Sequence, residues 1–282
     1  MVERRFQQVD VFTTVPLLGN PVAVVLDGEG LSDEQMQAVA RWTNLSETTF
    51  VSAPDDPAAD YAIRIFTPGG ELGFAGHPTL GTAHAWRRAG GEPKGDEIVQ
   101  EGRVGLVRIR VASAAGGELL AFAAPPSMRR DPEPGLLARA VAALGLDAEE
   151  VEGAQVLDNG TDWLAVLVAD AERVRSLEPD HAALRTLPKV GVVGWHPSGS
   201  SDLTLEVRAF ADSVGIAEDP ITGSLQASVA QWLLDLGRVP DRYRAAQGTV
   251  IARHGRVEVE RIGGDVWIGG GTHTLIEGTL EL

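Results

Sequence analysis

Not one of the 282 residues is a cysteine. Disulfides, thiolate nucleophiles, Cys-ligated metals and iron–sulfur clusters are excluded together. Long apolar runs are also missing: Leu164 to Ala169 is the kind of stretch that occurs, and Asp or Arg interrupts it within about ten residues, whereas a spanning helix needs about 20. No membrane partner is expected. The opening Met-Val-Glu-Arg-Arg-Phe leads straight into a strand-like Val9-Asp10-Val11-Phe12 without an apolar signal region, so a cytoplasmic location is expected. Basic residues are scarce, 24 Lys and Arg against 40 Asp and Glu, for a formal charge of -16. Such a surface repels a phosphate backbone, so nucleic acid is not an expected partner.

Familiar catalytic signatures are absent too. There is no H-E-x-x-H, no Walker A, no G-x-G-x-x-G before a helix and no G-x-S-x-G. His77 and His84 stand seven apart, about 10.5 Å along a helix axis, too far for one ion. His181, His196, His254 and His273 show no ligand spacing. No metal is expected. Gly269-Gly270-Gly271 has no helix after it and reads as a tight turn or bulge.

What remains is an ordinary folded chain, 44% hydrophobic with 33 Gly and 16 Pro, long enough for one large core or two of roughly 130 residues. The first half alternates strand and helix patterns. Strands are expected near 5–12, 21–26, 48–53 and 62–67. Ser32 caps a helix whose Met36, Val39, Ala40 and Trp42 can share an inward face, and a second helix runs from about Pro78 to Arg88. The proline-rich stretch from Ala123 to Gly135 is the best candidate for a connection between two domains. Beyond it come further strands, a long helix from Pro220 to Leu236 and a strand-rich tail.

The halves echo each other. Arg64-Ile65-Phe66 is answered by Arg208-Ala209-Phe210, and each is followed by an X-Pro-x-x-Gly stretch, His77-Pro78-Thr79-Leu80-Gly81 and Asp219-Pro220-Ile221-Thr222-Gly223. In each the polar residue is placed as an N-cap and the proline as the first helical residue, where a missing N–H costs nothing. Two such helix N-termini converging on one cleft would attract a carboxylate through their exposed N–H groups and dipoles. A small carboxylated substrate is the implied guest.

Three side chains stand out as chemistry. Glu47 falls where a helix gives way to a strand, among Leu45, Phe50 and Val51; partial burial there would raise a carboxyl toward the range useful for acid/base work, although a lone Glu is commonly just a surface residue. His77 can exchange a proton or simply cap a helix. Asp219, behind Glu218, can cap a helix or bind a substrate hydroxyl or amine. Ser224, one turn further on, is a weak signal by itself.

Several separated segments, Asp10-Val11-Phe12 with Gly19-Asn20-Pro21-Val22-Ala23-Val24, Asn44-Leu45-Ser46-Glu47-Thr48, Ile65-Phe66-Thr67-Pro68, Phe74-Ala75-Gly76-His77-Pro78 and Glu218-Asp219-Pro220-Ile221-Thr222-Gly223-Ser224, resemble the phenazine-biosynthesis PhzF-like family in order and spacing. The resemblance implies an α/β (α+β) protein of diaminopimelate-epimerase-like fold, two pseudo-symmetric domains each wrapping a curved sheet or barrel around a central helix. One half would be 1–124, completed by the C-terminal strand 270–282, and the other 125–269, with the site in the cleft between them. It implies an isomerase without cofactor, in which Glu47 shuttles a proton while His77, Asp219 and Ser224 hold the substrate. The backbone around Gly76, Pro78 and Thr79, and around Thr222 and Gly223, would receive its carboxylate.

The characterised activity of that family is isomerisation of a dihydro-hydroxyanthranilate. Sister families of the fold, diaminopimelate epimerase and proline racemase, invert a centre with two cysteines, which this chain lacks. An epimerase or lyase on an amino-acid-like substrate, or a non-catalytic small-molecule-binding protein, are the alternatives. Pro220-Ile221, Leu72 and Phe74 depart from or reshape the family pattern and leave the substrate open. By the same resemblance a homodimer is expected.

Overall fold

The computed structural model describes residues 2–114, 117–199 and 201–282. The chain divides into two compact units, Met1–Ala124 with Trp267–Leu282, and Pro125–Val266.

The first unit contains β1 (Glu3–Val11), β2 (Asn20–Val25), α1 (Asp33–Thr43), β3 (Glu47–Ser52), β4 (Tyr61–Thr67), β5 (Gly70–Leu72), α2 (Gly76–Arg88), β6 (Ile98–Gly102), β7 (Gly105–Ala114) and β8 (Gly117–Ala123). The second contains β9 (Met128–Arg130), α3 (Pro134–Leu144), β10 (Gly153–Asp158), β11 (Asp162–Asp170), α4 (Ala171–Ser176), α5 (His181–Leu184), β12 (Val190–Trp195), β13 (Leu205–Phe210), α6 (Gly223–Asp235), β14 (Arg242–Gln247) and β15 (Gly255–Ile262). The last strand, β16 (Asp265–Glu281), returns to the first unit.

There the strand order β1-β2-β3-β4-β6-β7-β8-β16 closes on itself, because β16 also pairs with β1. The product is a barrel of eight strands, a closure that leaves no edge to protect. α2 touches β1, β2, β3, β6 and β8, and Gly76 through Ala83 are all buried. A helix enclosed on every side needs small residues, which explains the run of Gly, Thr and Ala along it. Its hydroxyls find partners inside: Thr82 with Thr49 at 2.8 Å, and Thr79 with the Ala75 carbonyl at 3.0 Å. α1 lies against β3 and β4, opened by a Ser32–Gln35 capping box and ended by Asn44 in the left-handed conformation.

In the second unit the order is β9-β10-β11-β12-β13-β14-β15, with β11–β12 and β13–β14 parallel. α6 packs on β10 and β11 and is buried from Gly223 to Ala230. α3, α4 and α5 enclose a separate aliphatic core with Val156, Leu164, Val166, Val190 and Val192.

Two expectations fail here. Trp42 is 80% exposed, because it sits about 240° around α1 from Met36 at roughly 100° per residue, while Met36, Val39 and Ala40 carry the buried face. Gly269-Gly270-Gly271 is neither turn nor bulge: it lies inside β16, paired with Ala121, Leu120 and Leu119 of β8. Its glycines serve close approach, since a Cβ on Gly271 would lie 2.4 Å from the Thr13 carbonyl oxygen and one on Gly269 2.8 Å from that of Leu120. Backbone cannot retreat as a flexible side chain can. Gly271→Ala should therefore cost about 1–3 kcal/mol by urea denaturation, whereas Gly278→Ala in the same strand, where a Cβ meets nothing within 4 Å, should leave the midpoint within experimental error.

Candidate active site

In the first unit the site is built where α1 ends and β3 begins. Asn44 at φ 52° reverses the chain, a conformation Asn tolerates better than most residues, and Glu47 becomes the first residue of β3, parallel to Val22 of β2. Its side chain is only 12% exposed. Glu47 Oε2 stands 3.3 Å from His77 Nε2, at the start of the enclosed helix. On the other side of the ring, His77 Nδ1 lies 3.3 Å from Asn20 Nδ2, and the Ser46 hydroxyl reaches Asn20 Oδ1 at 3.4 Å. Gly19 makes this possible: its N–H donates to Asp10 Oδ2 at 3.1 Å, and a Cβ there would collide with Val11 and Asp10.

Burial pushes the His77 ring down to about 3, against the smaller pull of a hydrogen bond to the Pro21 carbonyl. Desolvation penalises the imidazolium more than the neutral ring. At neutral pH His77 therefore meets the Glu47 carboxyl as an uncharged group, not as the cation of an ion pair.

In the second unit, the N-terminus of α6 is surrounded by polar side chains. Thr222 Oγ1 donates to Asp219 Oδ2 at 2.5 Å; Gln247, at the end of β14, bonds to the Thr222 N–H at 3.1 Å and the Asp219 carbonyl at 3.1 Å. Ser224 Oγ accepts from Trp163 Nε1 at 3.1 Å, and the Ser224 carbonyl accepts from Asn159 Nδ2 at 2.9 Å. The adjacent Glu218 holds Arg208 through two bonds of 3.0 and 2.7 Å, just as Glu71 holds Arg64 at 2.7 and 2.8 Å. Both arginines lie 5.0 Å over the phenylalanine two residues on, Phe66 and Phe210. The repeat seen in the sequence is thus a repeat of side-chain contacts.

Its continuation into the helices is in a different register from the X-Pro-x-x-Gly match. α2 begins at Gly76 with Ala75 as N-cap, so His77 is the second helical residue and not the cap. α6 begins at Gly223 with Thr222 as N-cap, leaving Asp219 and Pro220 outside it. Glycine opens both helices, and Gly76-His77 corresponds to Gly223-Ser224. Neither N-cap side chain bonds to its own helix, which leaves the first N–H groups of each available to an anion; Pro78 and Thr79 follow in α2, with the Thr79 N–H already spent on the Ala75 carbonyl.

The structure thus brings Glu47 and His77 together in one unit and Asp219, Thr222, Gly223 and Ser224 together in the other. It adds Asn20, Trp163, Asn159 and Gln247, none of which stood out as site residues: their partners are 25 to 65 positions away in sequence, beyond the reach of local spacing. Among the described residues no group of three or more His, Asp or Glu is placed to hold a metal ion, and no helix is long and apolar enough to cross a membrane.

Residues 9–278 match the family described as phenazine biosynthesis-like protein. The chain belongs to that family. It is 36% identical over 258 residues to trans-2,3-dihydro-3-hydroxyanthranilate isomerase of Pseudomonas aeruginosa, covering 90% of this chain and 88% of that one. It is 34% identical over 294 residues to antisense-enhancing sequence 1 of Schizosaccharomyces pombe, covering 99% of each. A PhzF-family phenazine biosynthesis protein of Bacillus anthracis superposes with a TM-score of 0.85 at 22% identity over 100% of both chains. A probable proline racemase of Agrobacterium radiobacter reaches 0.65 at 14% identity, over 99% of this chain and 93% of that one. The fold is therefore epimerase-like, and this member of the phenazine biosynthesis-like family is an isomerase.

Burial of His77 has a consequence for stability. Its folded value, about 3, lies below the ordinary 6.5, so between those pH values the unfolded chain binds the proton that the folded chain refuses. The contribution is fully present above pH 6.5 and is lost as pH falls toward 3. From pH 8 to pH 4.5, wild type should lose about 2–3 kcal/mol more unfolding free energy than His77→Gln, measured by urea titration at each pH.

Proposed function

We propose that the enzyme moves a proton between two carbons of a small carboxylated substrate, with Glu47 as the acid/base. The observation that carries this reading is the contact between a nearly buried carboxyl, Glu47, and a neutral imidazole, His77. Such a carboxylate can take a proton from a carbon; the electron pair left behind enters a conjugated system, and the same carboxyl returns the proton at another carbon. Atoms and electrons balance without a redox step or a leaving group, so the reaction requires no cofactor. His77 steadies the carboxyl without fixing it as an ion pair.

The substrate carboxylate is held, in this reading, by the open N–H groups at the start of α2, supported by the helix dipole. Asp219 accepts a substrate N–H or O–H, and Ser224, whose oxygen already accepts from Trp163, offers its hydroxyl proton. The Pseudomonas aeruginosa relative is an isomerase of trans-2,3-dihydro-3-hydroxyanthranilate, a compound with both a carboxylate and an amine, which supports this class of substrate. One carboxyl that removes and returns a proton on one face favours isomerisation over inversion, and a chain without cysteine cannot run a two-thiol racemisation. We further propose that the enzyme is a cytoplasmic homodimer.

In deuterated water, wild type should place deuterium on a ring carbon of trans-2,3-dihydro-3-hydroxyanthranilate, followed by NMR. Glu47→Gln should lower that rate by about 10²–10⁴-fold. Equal exchange by both proteins would remove Glu47 as the base.

A further inference from the structure

The amide of Gln247 is fully buried and fully used. Its Oε1 accepts from the Thr222 N–H at 3.1 Å and from Gln226 Nε2 at 2.9 Å. Its Nε2 donates to the Asp219 carbonyl at 3.1 Å and to Thr222 Oγ1 at 2.9 Å. Two of these four partners are backbone groups whose roles are invariable: an N–H only donates and a C=O only accepts. The orientation of the amide follows from them, since turning it over would set its NH2 against the Thr222 N–H and its oxygen against the Asp219 carbonyl.

That orientation settles the next group. Because Nε2 donates to Thr222 Oγ1, the Thr222 hydroxyl proton is directed at its remaining neighbour, Asp219 Oδ2, 2.5 Å away. The chain runs one way, from Gln247 through Thr222 to Asp219. A carboxylate that receives a hydroxyl proton in a buried setting is stabilised in its ionised, accepting form.

We propose that Gln247 is a positioning residue: through Thr222 it fixes Asp219 as a hydrogen-bond acceptor, and so selects substrates that present an N–H or O–H to that carboxylate. The assignment of a substrate contact to Asp219 rests on the function proposed above; the direction of the chain does not.

The test uses protein carrying ¹³C at the aspartate carboxyl carbon, with the Asp219 signal identified by its loss in Asp219→Asn. Gln247→Met and Thr222→Val should each raise the titration midpoint of Asp219 by about one pH unit, and Thr222→Ser should restore the wild-type midpoint. In a Thr222→Val background, Gln247→Met should add nothing, because its route to Oδ2 runs through the hydroxyl. An unchanged midpoint in folded Gln247→Met, or an equal further shift in the Thr222→Val background, would overturn the proposal. Should Gln247→Met fail to fold, the comparison of Thr222→Val with Thr222→Ser still decides, since an unchanged midpoint in Thr222→Val is equally fatal. In the deuterium assay kcat/KM should fall about tenfold in Gln247→Met and Thr222→Val. A moved midpoint with wild-type exchange supports the directed chain and removes Asp219 from the substrate; absence of exchange in wild type bears on the proposed reaction and leaves the midpoints to judge Gln247.

Discussion

Enclosing a helix on every side is the constraint from which the first unit follows. α2 sits within eight strands that close on themselves, and each of its polar groups must find a partner there or stay uncharged. Threonines on α2 bond to a neighbouring hydroxyl and to the helix backbone. His77 gives up its charge. The helix must also begin somewhere, and its N-terminus, opened by Gly76 without a capping side chain, is where buried polarity meets the Glu47 carboxyl. The Glu47–His77 contact therefore lies at the end of the element whose burial organises the unit.

The second unit solves the same problem with a different distribution of polarity. α6 also starts at a glycine with no capping side chain, but its surroundings are amides, hydroxyls and an indole. Asn159, Trp163 and Gln247 lie on or beside strands, and each bonds to Thr222, Ser224 or Asp219. Direction matters in such a network as much as distance, because each donated proton commits the oxygen that receives it. One unit thus supplies a carboxyl beside a neutral imidazole, and the other supplies groups whose protons are assigned. The matched clamps Arg64–Glu71 and Arg208–Glu218, each stacked on a phenylalanine, show that two units so different in polarity keep a common local scaffold.

Much of this was legible beforehand, and for identifiable reasons. Ser32 announces the start of α1 through local capping chemistry, and the change from helical to strand pattern placed Glu47 at a helix-to-strand junction from sequence, while the left-handed Asn44 that ends α1 is seen only in the structure. The pairing of Arg64-Ile65-Phe66 with Arg208-Ala209-Phe210 survived because strand periodicity is short-range. The helix starts were misplaced: a Pro after a polar residue is a common cap pattern, yet Pro78 is the third residue of α2 and Pro220 precedes α6 altogether. Trp42 was misjudged because a large apolar residue near a buried face need not be on it, and the three glycines of β16 because close approach of strands leaves the same mark as a turn.

The sequence by itself determined the chemical vocabulary of this protein: no thiol, an acidic surface, a carboxyl beside a strand start, and small residues where two helices begin. Those are properties of residue type and near-neighbour spacing, and they are written in order along the chain. Only the tertiary structure decided the state and direction of the groups. The neutrality of His77 comes from walls contributed by distant strands, and the orientation of Thr222 comes from Gln247, 25 residues on. Protonation and hydrogen-bond direction are set by whatever surrounds a group in space, and that is settled when the chain closes upon itself.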